Sequence, residues 1–198
     1  MTTLEVKDPL TRRTRVIQDP PIARLLFANP WASLLWLPLR LWMGYQWLTS
    51  GLNKIDNPAW METGVALRGF WQRAVEIPEE GQPAIAFDWY RSFIQSLLDA
   101  EAYTWFAKVI AVSELVFGIL LILGAFTGIV AFLAGFMNWN FIMAGSASIN
   151  GVMFAIAVGL ILAWKVAGYI GLDYFLLPRL GTPWNRNAEP ATTLKEVD

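Results

Sequence analysis

Charged residues are absent from one long stretch of this chain. From Leu115 to Trp164 the sequence contains no Asp, Glu, Lys or Arg. A helix needs about 20 apolar residues to cross the hydrocarbon core of a bilayer. The stretch therefore holds two crossings and most of a third, divided by glycine-containing segments at 124–128 and 145–151. This pattern predicts an integral membrane protein.

Hydropathy along the whole chain predicts an all-α fold, an integral membrane four-helix bundle formed by residues 34–178. The first predicted span contains Pro38, whose missing N–H should bend or begin the helix. Glu114 lies halfway along the second span, where a charged side chain is energetically costly in a membrane. The predicted spans cover about 34–52, 105–123, 129–144 and 152–170.

The link between the first two spans, residues 53–104, predicts an amphipathic helical cap. Apolar residues recur at helical spacing from Phe87 to Leu98 with polar residues between them, and a second candidate helix runs from Trp60 to Val75. Aromatic side chains of this kind favour the membrane interface. The cap is either a lid over a lipid-soluble ligand or an element that simply packs on the helix ends or on a partner.

Basic residues predict the orientation. Residues 1–33 and the tail 179–198 carry Lys and Arg, whereas the link between the third and fourth spans carries none. Because basic residues near spans remain inside the cell, both termini are expected to be cytoplasmic and the cap to face outward. The sequence thus predicts a multi-pass protein of the cell membrane.

Composition narrows the chemistry. Of the 198 residues, 56% are hydrophobic and 16% charged, and the chain contains no Cys and no His. These absences exclude disulfides, thiolate or imidazole metal ligands and Cys- or His-based nucleophiles, and no covalent cofactor or metal site is expected. The net charge is −1 and the basic residues are scattered, so the sequence shows no basic patch of the kind that binds nucleic acid.

Two charged residues within the predicted spans, Arg40 and Glu114, are candidates for function. Arg40, Gly44, Trp47 and Gly51 form one helical stripe. Since charges inside a membrane pair with one another, the sequence predicts a buried Arg40–Glu114 ion pair. Such a pair either fixes the helix register or takes part in handling substrate or protons.

Asn138 and Asn140 lie on the third span. Two residues apart on a helix, their side chains point about 200° apart, so at most one can face a given cavity. Asn amides also form hydrogen bonds between helices in lipid, and this structural role is the alternative to ligand contact.

Four separated segments together resemble the DoxX family. They are Leu39-Arg40 to Gly44 with Gly51 and Lys54, Glu114 with Gly118, the segment 138–145, and the segment 167–173 ending in Asp173. The resemblance spans about residues 34–178 and implies a four-helix membrane protein. Some relatives, the DoxD-type subunits, belong to thiosulfate:quinone oxidoreductase. By position, the family's recurring polar pattern falls on Arg40, Lys54, Glu114, Asn138, Asn140 and Asp173, of which Lys54, Asn138, Asn140 and Asp173 are the candidates for binding a quinone.

These features favour a membrane subunit of a quinone-linked oxidoreductase, working with other membrane or redox subunits. The chain has no visible source of electrons, so a subunit is expected rather than a complete enzyme. The alternative is a non-catalytic scaffold or assembly subunit of a larger membrane complex. A small-solute transporter is disfavoured because the sequence shows no inverted repeat.

Overall fold

A computed structural model of the chain describes residues 5–7, 14–16 and 19–181, and these are predominantly helical. Two three-residue strands, β1 and β2, pair antiparallel near the N-terminus, a small departure from the all-α expectation. The predicted tail beyond residue 181 lies outside the described residues. The elements are β1 Glu5–Lys7, β2 Thr14–Val16, α1 Pro21–Phe27, a 3₁₀ turn Pro30–Ala32, α2 Ser33–Ile55, α3 Pro58–Met61, α4 Val65–Val75, α5 Asp88–Asp99, α6 Tyr103–Leu123, α7 Thr127–Met143, α8 Asn150–Leu162, α9 Trp164–Ala167 and α10 Asp173–Arg179.

Three of the four predicted spans match observed helices within about three residues, namely α2, α6 and α7. The helix expected from about 152 to 170 ends at Leu162, where Ala163 leaves helical geometry before the short helix α9. Pro38 lies inside α2 and does not begin it.

Length and composition identify α6 as a helix able to cross a membrane. A second candidate is the pair formed by α1 and the continuous segment Pro30–Ile55, which is bent by 58°. Helices α7 and α8 are apolar but shorter than a full crossing. Apolar side chains nevertheless cover the outside of α6, α7 and α8, including Val116, Phe132 and Val158. So large an apolar surface is unfavourable in water.

Glycines bring α2 and α6 into close antiparallel contact. A Cβ placed on Gly51 would collide with the backbone of Leu115, and one on Gly118 would collide with the backbone of Leu48. These positions pair residue 51 with 115 and residue 48 with 118, which fixes the register of the two helices. Small residues at such a contact let helix backbones approach closely, as between helices in lipid.

Helices α7 and α8 complete the bundle core. Ala131, Ala134 and Ala157 are fully buried there, and a Cβ on Gly135 would lie 3.0 Å from the Cβ of Ala157. Trp47 of α2 joins the same apolar cluster. The sequence prediction of a buried stripe on α2 is confirmed, because Arg40, Gly44, Trp47 and Gly51 are all buried.

The predicted cap is present as α3, α4 and α5. Helix α5 agrees with its expected segment within one residue, whereas the helix expected from Trp60 to Val75 is divided at residues 62–64 into α3 and α4. Their buried side chains form a second apolar cluster with the first turns of α6. We call this side of the bundle, where α2 ends and α6 begins, the cap end. The principal members of the cluster are Leu67, Trp71, Ile85, Tyr90, Ile94, Tyr103, Ala107 and Ile110.

Candidate functional site

A polar cavity of about 580 Å³ lies at the cap end of the bundle. The last turns of α2, the cap helix α4, the middle of α6 and the α7–α8 connection form its wall. Aromatic side chains stand beside hydroxyl, amide and charged groups. Its lining residues include Trp47, Ser50, Asn53, Lys54, Trp60, Phe70, Arg73, Glu114, Phe141, Ser146 and Asn150.

An ion pair between Lys54 and Glu114 forms part of this cavity wall. The Nζ atom of Lys54 lies 2.5 Å from Oε2 of Glu114 and 2.7 Å from Oγ of Ser50. It also lies 5.0 Å from the centre of the Trp60 ring, within range of a cation–π interaction. Glu114 is 1% exposed, whereas the Lys54 side chain is 16% exposed. The pair therefore joins a buried carboxylate to a cation that borders the cavity.

The predicted ion pair between Arg40 and Glu114 was wrong. Both side chains are buried, as expected. However, the antiparallel register places Arg40 beside Gly124, ten residues beyond Glu114 on α6, which corresponds to about 15 Å along a helix. The same register places Lys54 within one helical turn of Glu114. Arg40 and Lys54 carry the same charge, so charge alone could not indicate which of them pairs with Glu114.

Arg40 instead donates to backbone carbonyls at the opposite end of the bundle, while its buried Nε has no partner among the described residues. Its Nη1 donates to the carbonyl of Ala167 at 3.0 Å, and its Nη2 donates to the carbonyl of Ile170 at 2.7 Å. Gly124 adopts φ +67°, and any Cβ there would collide with the guanidinium. Arg40 thus connects α2 to the segment after α9, far from the polar cavity.

Asp173 lies at the same end of the bundle as Arg40. Its two carboxylate oxygens accept hydrogen bonds from the backbone N–H groups of Phe126 at 2.6 Å and Thr127 at 2.9 Å. These groups begin α7, so Asp173 caps that helix from a distant part of the chain. Asp173 also interacts electrostatically with Arg40. Asp173 and Lys54 therefore lie at opposite ends of the bundle, and both Arg40 and Asp173 have structural partners.

A second, apolar cavity of about 450 Å³ lies between the cap helices and α6 and α7. We call it the aromatic pocket. Several of its residues are also open to the surroundings, among them Trp89, Phe93 and Phe136. The pocket is therefore accessible from the side of the bundle. Its lining includes Leu67, Phe70, Trp71, Trp89, Tyr90, Phe93, Ile94, Phe106, Ile110, Phe117, Leu133, Phe136, Met137, Trp139, Asn140 and Phe141.

Tyr90 and Asn140 supply the polar atoms of the aromatic pocket. The Tyr90 hydroxyl lies 3.1 Å from both the side-chain oxygen and the backbone carbonyl of Asn140. Burial raises the pKa of Tyr90 to about 12, so the hydroxyl stays protonated as a donor at neutral pH. The amide of Asn140 donates one N–H to the carbonyl of Phe136 at 2.8 Å. Because an amide carries two N–H bonds, one donor remains for a ligand.

The two cavities share a wall. Phe70 and Phe141 line both, with ring centres 6.3 Å apart in an edge-to-face arrangement. Helix α6 contributes to the same boundary, since Ile110 and Phe117 line the aromatic pocket and Glu114, between them on one helical stripe, lines the polar cavity. A buried carboxylate thus lies beside the boundary between a polar and an apolar cavity.

The prediction that Asn138 and Asn140 face different surroundings is confirmed. Asn138 is fully buried in the bundle core, and neither its Oδ1 nor its Nδ2 has a hydrogen-bond partner among the described residues. Asn140 is partly exposed and contacts Tyr90 of the cap. Only Asn140 lines one of the two cavities described above.

Sequence reasoning did not identify three residues of these sites. The spacing predicts that Trp47 is buried but does not reveal that its indole N–H lacks a partner among residues 19–181. Arg73 and Tyr90 belong to cap helices, and no sequence motif in these helices indicates that they bind a ligand. The amphipathic spacing located the helices. The aromatic and basic residues on the side of these helices that faces the bundle were the available signal for a binding site.

The bundle, its apolar outer surface and the capped cavities define a helical membrane protein with two chemically distinct pockets at one end. The sequence profile of the DoxX family matches residues 35–147, more than half of the chain. The protein belongs to the DoxX family, a family of membrane proteins. No match is found among curated proteins or among solved structures.

Proposed function

We propose that this protein is a membrane subunit of a quinone-linked oxidoreductase and that its aromatic pocket holds the quinone. The observation that carries the proposal is a side-opening aromatic cavity with one small polar group, placed against a buried carboxylate in a neighbouring polar cavity. A quinone combines a flat ring and an apolar tail with two carbonyl acceptors. It accepts two electrons and two protons when it is reduced.

The aromatic pocket fits that chemistry. Its aromatic walls can stack on a flat ring, and its open side can admit an apolar tail from the bilayer. The free N–H of Asn140 is the donor available to a ring carbonyl, because the single O–H of Tyr90 already donates to Asn140. Pockets for small molecules commonly combine apolar walls with a few polar groups that fix orientation.

Lys54 and Glu114 are proposed to handle protons for the reaction. Glu114 lies beside the boundary with the aromatic pocket, and Lys54 connects it to the polar cavity. A carboxylate and an ammonium in hydrogen-bond contact can exchange a proton with water in the cavity and pass it on. Arg40, held by backbone carbonyls at the other end of the bundle, has no part in this proposal.

The proposed topology has four membrane crossings, with both termini in the cytoplasm and the cap outside. Helix α6 supports one crossing by itself, and the bent α1–α2 segment supports a second. The electrons are proposed to come from another subunit or a soluble donor. Residues 5–7, 14–16 and 19–181 contain no group of His, Cys, Asp or Glu suited to hold a metal.

The first experiment measures bound quinone. Protein purified in mild detergent should retain quinone in near-stoichiometric amount, detected by mass spectrometry of the lipid extract. The Trp89→Ala variant, which opens the pocket wall, should lose it, whereas Trp105→Ala should retain it. Trp105 is comparably exposed and does not line the pocket. Equal quinone content in all three proteins, or none in the wild type, would refute the quinone site.

A second experiment tests the proton role in the intact complex. Glu114→Gln should bind quinone normally and slow quinone-dependent turnover, because the amide cannot carry a proton. Full turnover in this variant would remove Glu114 from the mechanism while leaving the quinone site standing.

A scaffold role is the second candidate function. It is favoured by the observation that Arg40 and Asp173 both bond to backbone and hold helices in register. A scaffold would copurify with its partner subunits and contain no quinone, so the mass-spectrometric experiment also distinguishes the two functions.

A further inference from the structure

The polar cavity contains donor groups that the protein itself does not satisfy. Trp47 lines the cavity, is 2% exposed, and its Nε1–H has no acceptor among the described residues. A buried N–H without a partner is costly, because it has lost its hydrogen bond to water. Such a group gains stability when a ligand or an ordered water supplies an acceptor.

The charge balance of the cavity is positive. Its charged lining residues are Lys54, Arg73 and Glu114. The carboxylate of Glu114 is already paired with Lys54. Arg73, on the last turn of α4, has no ion pair in the part of the chain that the structure describes. Its guanidinium offers several N–H donors and a charge that never titrates in a protein, so it favours an anion.

The volume of the polar cavity and the aromatic residues in its wall indicate which kind of anion it fits. A volume of about 580 Å³ is far larger than a simple inorganic ion requires and falls in the range of sites for small organic molecules. Trp60 and Phe141 present aromatic surface beside the polar groups. A ligand with one anionic group and a flat or apolar body would use both features.

The geometry points to the polar cavity as a binding site for a small organic anion, a carboxylate or comparable acid that enters from the cap end. Arg73 and Lys54 bind its charged group, the Trp47 N–H donates to one of its acceptors, and the aromatic wall packs on its body. This site is separate from the aromatic pocket, and it requires neither a quinone nor any redox step.

The test uses three aromatic probes of similar shape and different charge: benzoate, neutral benzamide and cationic benzamidine. The protein is placed in nanodiscs of phosphatidylcholine, and binding is measured by equilibrium dialysis against empty nanodiscs. Benzoate should bind saturably in the millimolar range or better, benzamide should bind more weakly, and benzamidine should show no saturable binding.

Matched variants assign the binding to the cavity. Arg73→Gln should weaken benzoate binding about tenfold, and Trp47→Phe about fivefold, the effects expected for a charged and a neutral donor. Arg68→Gln is the control, since Arg68 lies on the same helix but stacks on Tyr103 and does not line the cavity. Arg73 is exposed, so its replacement leaves the fold intact.

The anion could be a free solute or the headgroup of an anionic lipid. Repeating the dialysis in nanodiscs that contain phosphatidylglycerol distinguishes these sources. Unchanged benzoate binding indicates a soluble ligand, whereas displacement by the lipid indicates a headgroup, and either result supports an anion site.

Three results would overturn the inference: no saturable benzoate binding, equal binding by wild type and Arg73→Gln, or a preference for benzamidine. The quinone content of Arg73→Gln is measured in parallel. Weakened benzoate binding with unchanged quinone content supports the anion site independently of the quinone site, whereas unchanged benzoate binding overturns the anion site and leaves the proposed function standing.

Discussion

Glu114 and Lys54 are separated by 60 residues in the chain and meet across the α2–α6 contact with 2.5 Å between carboxylate and ammonium. The carboxylate is almost fully buried, whereas the ammonium borders the polar cavity. This arrangement provides a buried acid with a single charged partner. The fold therefore depends on that partner.

Removal of one member of this pair should destabilise the protein more than removal of both. We expect Lys54→Met to cost about 3 kcal/mol of unfolding free energy, because it leaves Glu114 buried without its counter-charge. The double variant Lys54→Met with Glu114→Leu should recover most of the loss. Denaturant unfolding in detergent provides the measurement.

The control for this prediction is an exposed ion pair. Asp88→Asn removes the partner of Arg91, and Asp88 is 92% exposed, so stability should stay unchanged. A double variant no more stable than Lys54→Met would mean that the pair does not couple α2 to α6.

The α2–α6 contact should be intolerant of a single methyl group. At Gly118 an added Cβ would meet the backbone of Leu48, which cannot move without separating the helices. We therefore expect Gly118→Ala to cost about 3 kcal/mol. Gly151→Ala is the control, because no atom lies within 4 Å of the added Cβ. Thermal unfolding of both variants provides the comparison, and equal melting temperatures would contradict the close contact.

Asp173→Asn should weaken the start of α7. An amide has one oxygen and cannot accept both N–H groups as the carboxylate does, so we expect a loss of about 2 kcal/mol. Hydrogen exchange should increase at Phe126 and Thr127, the two residues whose N–H groups lose protection. Asp99→Asn, at the exposed end of α5, should leave exchange at these positions unchanged. Unaltered protection in Asp173→Asn would refute the cap.

The raised pKa of Tyr90 predicts that the folded protein loses stability at alkaline pH. Its pKa is raised by burial to about 12, above the value of about 10 in an unfolded chain. Between these values the unfolded state releases the proton and the folded state retains it, so this contribution to stability is complete below pH 10 and decreases as pH rises toward 12.

The comparison with Tyr90→Phe isolates this effect. The variant lacks the hydroxyl, so its stability should fall less steeply between pH 10 and pH 12 than that of the wild type. Parallel curves for the two proteins would mean that Tyr90 is not held in its protonated form.

The hydrophobic pattern was sufficient to predict the helices, because long apolar runs and amphipathic spacing are local properties of the sequence. It located α2, α6, α7 and the two cap helices. It failed at the fourth span because residues 163–167, apart from Lys165, remain apolar after α8 has ended. A break at Ala163 has no proline and thus no local signal.

Pairing between helices was harder to predict. Arg40, Lys54 and Glu114 were all singled out, but the choice of partner depends on the register of α2 against α6. That register is set by Gly51 and Gly118 meeting backbone on the opposite helix, and one sequence does not reveal which residue each glycine meets. The polar cavity and the aromatic pocket are likewise tertiary features, formed by residues from four helices or more.

The contacts of Arg40 impose an order on the biogenesis of the protein. Its two carbonyl acceptors belong to residues 127 and 130 positions later in the chain, and the cap of α7 comes from Asp173. When the ribosome has completed the first three long helices, the arginine still lacks its acceptors. The guanidinium therefore gains these two hydrogen bonds only after almost all of the described residues have been synthesised. A chain that ended before Ala167 would contain neither acceptor and would leave both of these Arg40 donors unpaired.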